Sequence, residues 1–465
     1  MLFSICELSR QIRDRSISPV ELTHHCLTLI DKLNPLLNAY ITVTAEAALD
    51  RARLAEREIY RGHYLGPLHG IPIGVKDIID VAGVPTTAGS AQFKDRIPTE
   101  DAEVVRRLRA GGAIILGKQN LHEFAYGGSS MVSFFGEVRN PWNLEHIAGG
   151  SSGGSAASVA AALGFAAVGT DTAGSVRLPA AYCGVVGLKP TYDRVSTRGV
   201  IPLSPSLDHV GPIANSVYDA ALMMQVMTGN TSTDPCGEPS FISAFDEFPE
   251  NVRIGVPREF FFDDLHPEIA AAVEKAIDVF RGLEADIREV KLEVSTDRTV
   301  SSAEAYAYHK PYVENSPERY QPATLERIKA GAGIGEEELL RAKGELAASR
   351  EAIYKVFEEV DVLLTPTVPI PPPTIAELRD HPESLRPREL IMLRNTRPFN
   401  VWGNPTMTIP CGLTRECLPI GLQLASAPRK GIVLLQAAQA YEQATEWHKQ
   451  MPALANFQGS LTGSG

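Results

Sequence analysis

The chain predicts an α/β fold, and three observations carry that prediction. Short apolar, β-branched runs alternate with amphipathic helical stretches from end to end, and no internal repeat interrupts the alternation. The length of 465 residues allows a large core. A hydrophobic content of 44% with 22% charged residues is that of a globular protein.

The elements follow in order. Residues 3–14 and 18–33 read as helices. Ser18, Pro19 and Glu21 supply an N-cap, a proline at the first helical position and an acidic first turn. Residues 44–61, rich in Ala, Arg and Glu, make a third helix, so three helices are expected before the first strand. The run LHGIPIGVKDIIDV then changes character, and a buried strand is expected over 73–79 with Lys76 in its middle. Residues 102–110 are helical and 113–116 a short strand; 121–143 form a Gly/Ser/Phe/Asn-rich loop. Strand and loop are expected over 195–203, a Met-rich helix over 216–228 and a polar loop over 231–249. A second strand–helix run follows at 252–257 and 267–283, then a mainly helical insert over 300–358. Strands at 360–368, 405–411 and 421–425 and a closing helix at 431–449 complete the pattern. The expected organisation is one domain over 1–455: a helical layer at 1–65, a catalytic core at 66–245, and the rest of the sheet at 246–455. Residues 456–465 form a flexible tail.

The bulk properties exclude several functions. A net charge of −12 disfavours nucleic acid or an anionic membrane as the main partner, because both need a basic face. The N-terminus lacks the apolar core of a signal peptide, and no 18-residue apolar run is present. The six cysteines form no CxxC pair and no zinc spacing, which fits reduced thiols in a cytoplasmic protein. Cys183 sits in an apolar run that would blunt a thiol. No metal or cofactor is implied.

Two phosphate-loop lures fail on context. Gly112 to Lys118 matches GxxxxGK, but Gln119 stands where magnesium needs a hydroxyl, and the interior reads as a strand. The glycines at 331–335 follow a helical stretch rather than a strand.

The chemistry concentrates in residues 149–191, GGSSGGSAASVAAALGFAAVGTDTAGSVRLPAAYCGVVGLKPT. Glycine-flanked serines stand at 151–152, just before an alanine-rich helix whose first N–H groups are free. Ser175 follows a strand at 166–170 on a glycine-bearing turn, where N–H groups can face a developing oxyanion. A helix of about ten residues and a strand of about five between them would return the chain near its start, so the two serines can be neighbours. Ser151 also satisfies GxSxG, but Pro141 and no strand precede it, and His209 is the one nearby histidine to serve as base. Lys76, among apolar neighbours, needs either a partner or a lowered pKa.

These segments, together with GPLHGIPIGVKDIIDVAGVPTTAGS, LGKQNLHEFA, RNPWN, SLDHVGPIANSV and PFNVWGNPTMTIPCG…LPIGLQLAS, resemble the amidase signature family over nearly the whole chain. The resemblance implies a mixed, twisted central β-sheet covered by helices on both faces. It implies a Ser–cis-Ser–Lys triad: Ser175 as nucleophile, Ser151 as the bridging serine after a cis peptide, and Lys76 as base. The backbone N–H groups of Thr172, Ala173, Gly174 and Ser175 would form the oxyanion hole, provided φ at Ala173, where relatives commonly carry glycine, is negative. Ser152, Asp171 and Arg177 would support them, with Ser152 the competitor to Ser151. Tyr126, Met131, Phe134 and Phe135 would make an apolar acyl pocket or simply pack in the core.

The implied reaction is hydrolysis of a linear C–N amide through a seryl acyl-enzyme, releasing ammonia or an amine from a small-molecule substrate. The alternatives are the glutaminase component, the A subunit, of a tRNA-dependent amidotransferase, or hydrolysis of a urea-like or carbamoyl compound. The glutaminase component would be expected to carry a tyrosine-rich helix and an arginine for the glutamine carboxylate. Residues 325–350 lack the tyrosines, and Leu346 stands in the arginine's place. The possibilities of a homodimer and of an accessory subunit stay open.

Overall fold

The computed structural model describes residues 4–229 and 251–454. Eleven strands form one sheet. They are β1 Tyr40–Val43, β2 Pro72–Lys76, β3 Ile114–Gln119, β4 Ala166–Asp171, β5 Val186–Lys189, β6 His209–Ala214, β7 Arg253–Val256, β8 Asp286–Glu289, β9 Val362–Pro366, β10 Thr406–Leu413 and β11 Pro419–Ser426. Their spatial order is β1-β3-β2-β4-β6-β5-β10-β11-β9-β7-β8. The sheet is mixed: β2 runs parallel to β3 and β4, and β7 parallel to β8 and β9, while β6 pairs antiparallel with β4 and β5, and β10 with β5 and β11. Successive side chains of a strand point to opposite faces. Every residue of β2, β3, β4 and β6 is buried, so helices cover both faces there, as the α/β expectation required.

The N-terminal helices are well capped. Ser4 with Glu7 and Ser18 with Glu21 form reciprocal capping boxes at Ile5–Arg13 and Pro19–Leu37. The latter packs against Ala45–Tyr60 and the β2/β3 edge. A strand does precede the third helix: β1 pairs antiparallel with β3 at the sheet edge. At four residues it offers too little alternation to be read from sequence.

Other boundaries shift. The strand expected over 73–79 ends at Lys76, because the chain turns there and Ile78 and Ile79 donate their N–H groups back to the Lys76 carbonyl. Residues 195–203 form a loop whose strand-like contact is a single bridge, Ile79 to Val200. The strands of that region are β5 and β6. The Lys118 of the GxxxxGK match is an interior residue of β3, buried and paired with Asp77 at 2.8 Å. The helical insert is Thr299–Asn315, Pro322–Lys329, Glu336–Ala352 and Val356–Glu359, with a 3₁₀ turn at Ala330–Gly333 where the second glycine lure lies. The polar loop at 231–249, the boundary near 245 and the tail at 456–465 lie outside the described residues. Among the described residues no helix is long and apolar enough to cross a membrane.

Candidate active site

Three neighbouring pieces of the sheet deliver the candidate residues to one place. Lys76 ends β2; β4, its parallel neighbour, ends at Asp171 and turns through Ser175 into the helix Arg177–Cys183; Ser151 and Ser152 precede the helix Gly153–Ala160. That last helix starts where the chain passes close to other backbone. A Cβ on Gly154 would stand 2.4 Å from the Ala39 carbonyl and 2.5 Å from that of Asn120, so the glycine-rich start is a steric requirement.

Lys76 is fully buried, and its Nζ lies 2.8 Å from Ser151 Oγ and 2.7 Å from Thr170 Oγ1. Burial lowers its pKa to about 7, with Asp171 and Asp208 pulling the other way. A lysine in that state is neutral in a large fraction of molecules near pH 7 and can accept a proton. The Gly150–Ser151 peptide is cis. Ser152 is distinguished from Ser151 by its partners. Its hydroxyl donates to the Thr170 carbonyl at 3.2 Å and accepts from the Thr170 N–H at 3.3 Å, and its own N–H donates to the Ser175 carbonyl at 3.1 Å. Ser152 therefore ties the two serine turns together, while Ser151 faces the lysine. His209, the histidine that the elbow reading required, is engaged elsewhere. Its Nε2 lies 3.3 Å from Lys189 Nζ and its Nδ1 2.7 Å from the Leu207 carbonyl.

The turn that carries Ser175 is held by Asp171. Its carboxylate accepts the N–H groups of Gly174 (2.8 Å) and Val176 (3.1 Å) and the Arg177 guanidinium (3.0 Å). Burial works to raise the Asp171 pKa, but Arg177 overrides it and holds the group well below the usual carboxylate range. Arg177 is itself fully buried and donates to the Thr396 carbonyl, Gln423 Oε1 and Asn400 Oδ1 at 2.8, 2.8 and 2.6 Å. Asn400 also donates to Asp171 Oδ1 at 2.8 Å. The buried pair is thus fully hydrogen-bonded, which is the condition under which such a pair is tolerated.

In this arrangement the four backbone donors expected after β4 are not equivalent. The Gly174 N–H is committed to Asp171, and those of Thr172, Ala173 and Ser175 have no acceptor among the described residues. Ala173 is not among the residues with positive φ, so its N–H keeps the required direction. Gly174 carries the unusual backbone, at φ +130°, and a Cβ there would lie 2.0 Å from Thr396 Oγ1. Gly174→Ala is expected to destabilise the protein by about 2–4 kcal/mol, from a strained φ and a clash with a neighbour anchored to the Ala173 and Leu393 carbonyls. Chemical denaturation measures it; a loss below about 0.5 kcal/mol would show that the turn tolerates a side chain.

A small cleft opens beside Ser175. Of the four expected pocket residues only Tyr126 lines it. Met131 packs against the apolar group around Leu178 and Leu393, and Phe134, 47% exposed, stacks edge-on against Phe135 on the surface. The loop turns outward there because the Phe134 N–H is taken by the Gly89 carbonyl. The remaining walls were not foreseen: Leu203, Leu207 and Leu393, and three arginines, Arg298, Arg386 and Arg397. Also unforeseen was Asp208, which accepts from the Thr172 hydroxyl at 2.6 Å and whose pKa burial raises to about 6. Sequence alone pointed weakly to Asp208 and Asn400, which stand inside two of the quoted motifs; nothing local singles out the arginines. Leu346 lies away from the cleft, against the apolar group of Phe261, Phe399 and Trp402.

Comparison with known proteins places the chain in a family. A family model described as Amidase matches residues 21–435. The chain is 40% identical to the A subunit of Glutamyl-tRNA(Gln) amidotransferase from Geotalea daltonii, over 97% of this chain and 99% of that protein. Among solved structures, 6-aminohexanoate cyclic dimer hydrolase in complex with substrate superposes with a TM-score of 0.88 at 30% identity, covering 98% of this chain and 99% of that one. The Glutamyl-tRNA(Gln) amidotransferase A subunit from Thermotoga maritima superposes at 0.77 with 31% identity, covering 92% of each. With the family model spanning the serine turns, the β2 lysine and the late strands alike, the chain belongs to the amidase (amidase signature) family.

Proposed function

We propose that the chain hydrolyses a carboxamide through a seryl acyl-enzyme. The observation that carries this is the buried contact of Lys76 with Ser151, beside the Ser175 turn and its free N–H groups. A serine hydroxyl needs a base to attack a carbonyl. Neutral Lys76 draws a proton from Ser151, which in turn takes the Ser175 proton as Oγ bonds to the carbonyl carbon. The N–H groups of Thr172, Ala173 and Ser175 hold the oxyanion. The relay then runs backward: Lys76 returns the proton through Ser151 to the departing nitrogen, the C–N bond breaks, and the acyl group stays on Ser175. Water, deprotonated through the same relay, releases the acid and regenerates the serine.

Two forms of this reaction fit the chain, and its relatives favour the amidotransferase form over the stand-alone linear amidase. Curated relatives that match across the full length, at 36–40% identity, are named as the A subunit of Glutamyl-tRNA(Gln) amidotransferase. Their name supports glutamine as the amide and partner subunits around this chain. One observation favours the free hydrolase as a second reading: the superposition is better on the hydrolase, 0.88 against 0.77. Purified protein given glutamine is expected to release glutamate and ammonia in equal amounts. Ammonia from simple amides with none from glutamine, alone or with partner subunits added, would leave the free hydrolase.

A further inference from the structure

We propose that His209 is a positioning residue for the oxyanion hole: it captures the Asp171 carbonyl, so that the N–H on the other side of the same peptide, that of Thr172, faces the cleft. The inference deepens the amidohydrolase reading and rests on it. His209 opens β6, opposite Asp171 at the end of β4, and Lys189 ends β5 on the far side of β6. The imidazole is therefore buried between the nucleophile turn and a second buried lysine.

Its hydrogen bonds fix its tautomer. Nδ1 lies 2.7 Å from the Leu207 carbonyl and 3.1 Å from that of Asp171, so it carries the hydrogen. Nε2 accepts from Lys189 Nζ at 3.3 Å, and that Nζ also donates to the carbonyls of Pro190 and Asn404. Burial, reinforced by Lys189, holds the ring well below its usual pKa and so neutral. Lys189 thus keeps the Nδ1–H pointed at the turn.

A trans peptide is planar, and its C=O and N–H point in opposite directions. Donors on the Asp171 carbonyl, His209 Nδ1 and Asn400 Nδ2 at 3.0 Å, therefore turn the Thr172 N–H away from them. Thr172 lines the cleft with Ser175, and its hydroxyl is tied to Asp208 at 2.6 Å. Two later peptides of the turn are anchored in the same way. Thr396 Oγ1 holds the Ala173 carbonyl, and the Leu178 N–H holds that of Gly174, each at 2.7 Å. Asn400 also binds Arg177 and the Asp171 carboxylate, so replacing it would disturb the buried pair. His209 touches only the carbonyl of Asp171, and its replacement isolates the aim of one donor.

Two polar variants separate aim from packing. His209→Asn places an amide donor near the Nδ1 position; His209→Gln reaches toward Lys189 and leaves Nδ1 unreplaced. Kinetics are measured on the full chain with glutamine and with propanamide. In the Gln variant kcat is expected to fall at least ~10-fold with KM within ~3-fold, since an oxyanion donor acts in the transition state. The Asn variant is expected to stay within ~3-fold of the parent in both. Propylboronic acid reports the same donors without turnover. Ser175 Oγ adds to its trigonal boron, the hydroxyl proton passes through Ser151 to Lys76, and one oxygen of the tetrahedral anion takes the oxyanion's place. Its affinity by calorimetry is expected to fall at least ~10-fold in the Gln variant and to hold within ~3-fold in the Asn variant. That pattern supports the inference even with neither amide cleaved. Parental kcat and boronate affinity in the Gln variant overturn it while the amidohydrolase reading stands. Equal losses in the two variants, or a loss carried by KM alone, do the same. Imidazole nitrogen NMR of the parent is expected to show His209 as the Nδ1–H tautomer; the Nε2–H tautomer overturns the inference whether or not the Gln variant folds. A parent that cleaves neither amide and forms no boronate adduct removes the amidohydrolase reading, and this inference with it.

Discussion

Ser175→Ala is expected to lower amide hydrolysis by on the order of 10⁴-fold or more, because it removes the atom that forms the acyl-enzyme. The substitution leaves the turn in place. The Asp171 carboxylate binds backbone and Arg177 rather than the serine hydroxyl, and the Ser175 carbonyl that accepts the Ser152 N–H is backbone too. The variant's unfolding free energy should therefore lie within about 0.5 kcal/mol of the parent's. That combination separates chemistry from folding. Full activity in the variant would remove Ser175 from the mechanism, and a large loss of stability would mean that the hydroxyl holds the turn. Ser151→Ala and Ser175→Ala together should cost little more than either alone, as groups acting as one unit do.

Lys76→Ala is the second large effect, expected at about 10³–10⁴-fold near neutral pH. The sign of its pH dependence follows from its burial. The working form is the neutral amine, and burial brings its pKa down to about 7. In the parent, kcat/KM should rise as pH increases through about 7 and then level off, since protonation below that value removes the base. In the variant this limb should vanish and the residual rate should climb with hydroxide, so the deficit shrinks at alkaline pH. An unchanged limb near 7 in the variant would assign it to another group. Asp208, at about 6, is the first to test, by Asp208→Asn, which keeps an acceptor for the Thr172 hydroxyl.

Much of the site was legible because its chemistry is local. Ser151 and Ser175 sit on glycine-bearing turns at the two ends of one helix–strand unit, and a lysine among Ile73, Val75, Ile78 and Ile79 is anomalous without any structure. Several strands were not legible. β6 contains Gly211 and Pro212 yet lies in the middle of the sheet, opposite Gly169 and Val168 of β4. Proline and glycine ordinarily argue against a central strand. Here glycine is required, since a Cβ at 211 would stand 2.1 Å from the Leu188 carbonyl. β8 is a four-residue edge strand with mostly exposed side chains, so hydrophobic periodicity had nothing to register.

The sequence by itself determined the class of fold, and it singled out the lysine and two serines as candidates, because each follows from a short stretch and its neighbours. Tertiary structure decided what long-range contact alone can decide. It placed Lys76 Nζ, 75 residues upstream, 2.8 Å from Ser151 Oγ and left Ser152 bonded to Thr170 and Ser175. It folded the Gly174 N–H onto Asp171. It also lined the cleft with Leu203, Leu207, Leu393 and the arginines at 298, 386 and 397 rather than with Met131, Phe134 and Phe135. A pocket wall is assembled from residues whose separation along the chain carries no signal. The cost of gathering like charges is visible only once they share one cavity.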